Sequence, residues 1–136
     1  MAVPARRAFS GAPWEDKVGY CRALRRGPHV WVTGTVAMDV AGGVYAAGDP
    51  EAQARRCFEI IGQALEDVGA TLEDVVRTRM FVTNIDHWEA FGRAHGEVFR
   101  DHPPATTMVE VSRFIGPEFM VEIEADAFVD DGCEAA

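Results

Sequence analysis

The segment Pro104–Ala125, PATTMVEVSRFIGPEFMVEIEA, leaves a chain of this kind few ways to fold. Thr106 to Ser112 and Phe119 to Glu124 each alternate with a period of two, so each reads as a strand with one face toward a core. In the first, Thr106, Met108, Glu110 and Ser112 oppose Thr107, Val109 and Val111; in the second, Met120, Glu122 and Glu124 oppose Phe119, Val121 and Ile123. Gly116-Pro117 supplies the turn that joins them. Carboxylates thus line the less apolar face of the strand pair, either as a solvated surface or as part of a site.

The rest of the chain supplies layers for these strands. Val18–Arg26 and His29–Gly34 read as a hairpin turning at Gly27-Pro28, and Ala41-Gly42-Gly43-Val44 as a turn into a short third strand. Asp49-Pro50-Glu51 starts a helix: a capping carboxylate, a proline at the first helical position and an acid at the positive dipole end. Cys57, Ile60, Ile61, Ala64, Leu65 and Val68 form its apolar stripe, Gly69 stops it, and the helix reads as scaffold. Thr71-Leu72-Glu73-Asp74 echoes a capping box before a strand at Val75–Val82, whose two faces are Val76, Thr78, Met80, Val82 and Val75, Arg77, Arg79, Phe81. Asp86 opens a second helix through Arg100, with Trp88, Phe91, Ala94, Val98 and Phe99 on one side.

The order β-β-β-α-β-α-β-β predicts an α+β fold, a two-layer sandwich of a mixed sheet with two helices on one face. One domain spans 1–136, with residues 1–16 irregular apart from a packed Trp14 and residues 130–136 a frayed tail. The second face of the sheet keeps Val and Phe among its charges, and an uncovered, half-apolar face calls for a partner, most simply another copy.

Charge and cysteines narrow the classes of function. A formal net charge of −9 disfavours nucleic-acid binding, although Arg22, Arg25 and Arg26 form a local basic patch. Cys21, Cys57 and Cys133 make no paired framework and fit a reducing compartment. No run approaches the ~20 apolar residues that cross a bilayer, and no signal-peptide pattern opens the chain; a cytoplasmic protein is the expectation. His29, His87, His95 and His102 fall in no ligand spacing, so no metal is expected.

Pro104-Ala105-Thr106-Thr107-Met108-Val109-Glu110-Val111 and Val121-Glu122-Ile123-Glu124-Ala125 resemble the C-terminal signature of the YjgF/RidA family. The resemblance extends from about Val18 to Phe128 through Thr33-Gly34, Gln53-Ala54-Arg55, Gly69 to Val76 and Phe81-Val82. It implies a chorismate mutase-like fold, a homotrimer with ligand clefts between subunits, and cofactor-independent hydrolysis of an enamine or imine metabolite to a keto product and ammonia.

Carried over residue by residue, the resemblance makes Glu122 the carboxylate that activates water and Tyr20 a wall of the cleft. Thr33 keeps the hydroxyl of a family serine. Gly92 stands where asparagine is common and Met108 where cysteine is common. Thr106 stands where the family's arginine clamps a substrate carboxylate, and a threonine hydroxyl cannot reproduce a guanidinium's paired, charge-assisted hydrogen bonds. Either another cation such as Arg79 or Arg93 takes that role, or the substrate lacks the carboxylate. A non-catalytic metabolite-binding trimer is the alternative. An RNA-cleaving role, a label the wider family carries, fits the acidic balance less well.

Overall fold

The computed structural model describes residues 3–130. Its six strands are β1 (Ala5–Ala8), β2 (Ala23–Arg26), β3 (His29–Val36), β4 (Val75–Val82), β5 (Ala105–Glu110) and β6 (Val121–Phe128). They form one sheet in the order β1-β2-β3-β6-β4-β5. All neighbours are antiparallel except β4 and β5, which run parallel. Two helices, α1 (Pro50–Asp67) and α2 (Trp88–Phe99), pack on one side of the sheet.

The expected α+β class and order of elements hold, but two strands lie elsewhere. β1 falls inside the segment expected to be irregular. Its sequence ARRA carries no apolar alternation because it is an edge strand with a single buried side chain, Ala8. The expected third strand shrinks to one bridge, Met38 to Val44. There the Asp39 carboxylate ties the loop by accepting the N–H groups of Ala41 (2.9 Å) and Gly43 (2.8 Å), in place of a ladder. The expected tail beyond Asp130, with Cys133, lies outside the described residues.

A further correction concerns the opening segment. β5 and β6 are not partners: β4 lies between them. α2 carries the chain from β4 to the parallel β5, and residues 111–120 then cross back to the middle of the sheet. Gln53, fully buried on α1, fixes that crossing. Its amide donates to the Glu118 carbonyl at 3.1 Å and accepts the Met120 N–H at 2.8 Å.

Local signals explain most helix ends. The Asp49 side chain accepts the Ala52 N–H at 3.1 Å, and the Thr71 N–H donates to Asp74 at 2.8 Å. Before α2, Asn84 rather than Asp86 caps the short turn Ile85–His87. Phe58, Ile61, Leu65, Phe91 and Phe99 meet Val30, Met80, Val82, Val121 and Ile123 in the core between the layers. A bulge at Val75 and Arg77 shifts the alternation of β4, so Val75 is buried and Val76 exposed, the reverse of the simple pattern. Trp31, Val109 and Phe128 are exposed on the face without helices. Among the described residues no helix is long and apolar enough to cross a membrane.

Candidate functional site

Between Val32 and Thr35 the pairing of β3 with β6 slips at a second bulge, and the site grows from it. A bulge strands backbone carbonyls that the ladder would have paired. Here the Thr35 hydroxyl donates to the Thr33 carbonyl at 2.7 Å, and Arg22 Nη1 donates to the Gly34 carbonyl at 2.8 Å. The Thr33 hydroxyl donates in turn to the Cys21 carbonyl at 2.7 Å. Gly34 has no side chain, and the Glu122 carboxylate fills the space one would need: an added Cβ would stand 2.2 Å from Glu122 Oε2.

Arg22, read from sequence as part of a surface patch, is buried, and so is its partner Glu15; each is 4% exposed. Both Nε and Nη2 of Arg22 reach Glu15 Oε2 at 3.0 Å. The remaining demand of Glu15 is met by the Ser10 N–H at 3.0 Å and the Ser10 hydroxyl. Glu15 opens a short π-helical turn, closed by Tyr20 N–H to the Glu15 carbonyl at 3.0 Å, that brings acid and base together. The Arg22 guanidinium also lies 5.5 Å from the Tyr20 ring centre.

Ser10, Arg22, Gly34 and Thr35 line a cavity of about 500 Å³. Tyr20, Thr33 and Glu122, singled out from sequence, all line it. Trp14, expected to be packed, forms part of the cavity wall, edge-on to Phe119 at 6.2 Å. α1, read as scaffold, contributes Arg56 and Ile60. Burial pushes the Glu122 carboxyl above the ordinary carboxylate range, Arg22 opposes the rise and Glu124 adds to it. The buried Cys57 thiol is also driven up by burial and by Glu122, against Arg56 and Arg22.

The other residues singled out from sequence lie elsewhere in the single chain. Arg79 sits on the uncovered sheet face, 3.2 Å from both Glu124 and Asp126. Arg93 is exposed and pairs with Glu51 at 3.0 Å. Gly92 on α2 faces open space, since an added Cβ meets nothing within 4 Å. Met108 packs against the core from β5, at the far edge of the sheet. Thr106 on the same strand meets the hydroxyl of Thr78 at 2.6 Å, and Thr78 meets His95 Nε2 at 2.8 Å. Burial lowers the pKa of that histidine. Among the described residues no group of three or more His, Cys, Asp or Glu is placed to hold a metal ion.

Comparison with known proteins agrees with the architecture. Residues 12–129 match the profile of a family described as Endoribonuclease L-PSP. An uncharacterized protein of Streptomyces coelicolor is 37% identical over 123 residues, 90% of this chain and 91% of that protein. A RutC family protein of Pyrococcus abyssi is 31% identical over 109 residues, 80% of this chain and 85% of that one. Among solved structures, Rv2704 of Mycobacterium tuberculosis, of the YjgF/YER057c/UK114 family, matches with a TM-score of 0.84 at 44% identity, covering 93% of this chain and 100% of that chain.

Proposed function

The chain belongs to the endoribonuclease L-PSP (YjgF/RidA) family, and from that premise we propose that it is a homotrimeric, cofactor-independent deaminase hydrolysing an enamine or imine metabolite. The observation that carries this reading is Glu122: a half-buried carboxyl with a raised pKa, in one cavity with Tyr20 and Thr33. Such a group is a stronger base than a solvent-exposed carboxylate.

An iminium carbon is already electrophilic. Glu122 takes a proton from water as the water oxygen bonds to that carbon, and the C=N π pair moves to nitrogen. The proton then passes to the amine nitrogen. Loss of ammonia follows as the C–N bond breaks, and the carbinol oxygen gives up its proton to leave the ketone. Tyr20 closes the cavity, and no metal or organic cofactor enters these steps.

The exposed Trp31, Val109 and Phe128 support the trimer, since an apolar sheet face of this kind is stabilised by a second copy. In that assembly Thr106 and Met108 reach the cleft from the β5 edge of a neighbouring copy. Light scattering coupled to size exclusion is expected to give three times the protomer mass; a stable monomer at micromolar concentration would remove the cleft between subunits.

Thr106 makes the specificity non-standard, because it offers a hydroxyl where the family's arginine clamps a carboxylate. The test couples an amino-acid oxidase to the protein and follows ammonia released from 2-imino acids, beside uncharged imines and enamines. Thr106→Arg is expected to raise kcat/KM on 2-imino acids by about one to two powers of ten, the worth of a charged hydrogen-bonded contact. No acceleration of any imine or enamine by the wild type would leave a metabolite-binding trimer instead.

A further inference from the structure

We propose that Arg56 is the cation of this cavity, and that its ligands carry an anionic group, a carboxylate, at the end directed toward α1. The inference rests on the cavity around Glu122 being the ligand site, and it deepens that reading by naming a chemical class: small organic anions with an apolar or aromatic body.

The two arginines singled out from sequence are engaged outside this cavity. Arg79 is held between Glu124 and Asp126, and Arg93 is drawn to Glu51. Arg22 lines the cavity, but Glu15 neutralises it and its remaining donors serve Gly34 and Thr35. That leaves Arg56.

The Arg56 guanidinium is set in place before any ligand arrives. Its Nε donates to the Met38 carbonyl at 2.7 Å, and its central carbon stands 6.0 Å from the Tyr45 ring centre. Only 23% of the side chain is exposed. Its carboxylate partner Glu59, at 3.1 Å from Nη1, is 65% exposed, so the pair is screened and weak. Among the described residues Nη2 has no acceptor. A carboxylate entering the cavity would meet an oriented, partly desolvated guanidinium whose Nη2 can donate a charge-assisted hydrogen bond. Trp14, Phe114, Ile115 and Phe119 supply the apolar wall for the body of the ligand.

The position of this anchor matters as much as its charge. It lies on α1, not on β5, so the anion it holds need not be the carboxylate beside the reacting carbon that an arginine at 106 would clamp.

The test uses phenylacetate and its neutral isostere phenylacetamide, neither of which has an imine to hydrolyse. Their binding to the assembled protein is measured by calorimetry at low and high salt. Phenylacetate is expected to bind about tenfold or more tightly than the amide, with added salt eroding only that preference. Arg56→Gln is expected to weaken phenylacetate by about one to two powers of ten and to leave the amide within about twofold. Arg56→Lys, which keeps the charge but not the planar group held by Met38 and Tyr45, is expected to fall between. The control Arg26→Gln, a charge lost from β2 outside the cavity, is expected to change neither. Equal binding of the two probes by the wild type, an equal loss of both in Arg56→Gln, or no binding of phenylacetate at millimolar concentration overturns the proposal. Anion preference without turnover of any imine would instead retire the deaminase reading and leave Arg56 as the anchor of a binding protein.

Discussion

Glu122→Gln is expected to lower kcat for imine or enamine hydrolysis by about 10²–10⁴-fold, the usual worth of a positioned general base. The amide keeps the shape that fills the space above Gly34 but can no longer take a proton from water. Glu124→Gln is the control, because Glu124 shares the strand face yet lies 3.2 Å from Arg79. It is expected to turn over at close to the wild-type rate. Equal rates for all three proteins would end the role assigned to Glu122. The same substitution has a stability signature. The native carboxyl holds its proton to higher pH than the unfolded one, so between the ordinary carboxylate range and the raised native value the folded state binds more protons. Stability therefore falls as pH rises through that window. Glu122→Gln is expected to flatten this slope and to be more stable than the wild type at neutral pH while being less active. Urea melts across pH at one protomer concentration check both signs.

Glu15→Ala is expected to cost about 3–5 kcal/mol of folding stability, since it leaves the Arg22 charge buried without its counter-charge. The damage also spreads: Glu15 holds Ser10, and Arg22 holds the Gly34 carbonyl at the bulge beneath Glu122. Replacing both charges by apolar residues, Glu15→Leu with Arg22→Met, is expected to recover part of the loss because no unpaired ion remains inside. A cost for Glu15→Ala below about 1 kcal/mol, the range of exposed pairs, would show that water reaches Arg22.

How much of this was legible in the chain depends on which physical signal each part leaves. α1, β4 and β6 announce themselves, because a period of 3.6 or 2 survives wherever one face is buried. β1 leaves no such mark, being an edge strand of ARRA with one buried alanine. Pairing is the least legible property: β5 and β6 are adjacent in sequence, and only the crossover through α2 and the insertion of β4 show that they never touch as partners. Within the site, Tyr20, Thr33 and Glu122 were reached through resemblance, while alternation alone could not rank Glu122 above Glu124. The bulge at Gly34 and the ion pair of Glu124 separate them. Glu15, Arg22 and Arg56 were missed for another reason. A charged residue on an amphipathic element reads as surface, and its depth becomes visible only when a distant acid or carbonyl is found beside it. An acid seven positions before an arginine was the one local hint.

The central place of β6 has a consequence for how the chain is made. β3, already paired with β2, and β4, already paired with β5, both take residues 121–128 as their second sheet partner. During synthesis from the N-terminus, the first hairpin and α1 emerge, then β4, α2 and β5, as two unsealed sheet fragments with open backbone edges. They fuse only when β6 slides between them, so the keystone emerges after the strands it joins are already made. The residue on which catalysis is proposed to turn, Glu122, travels on that keystone, and closure of the fold and completion of the cavity become one event.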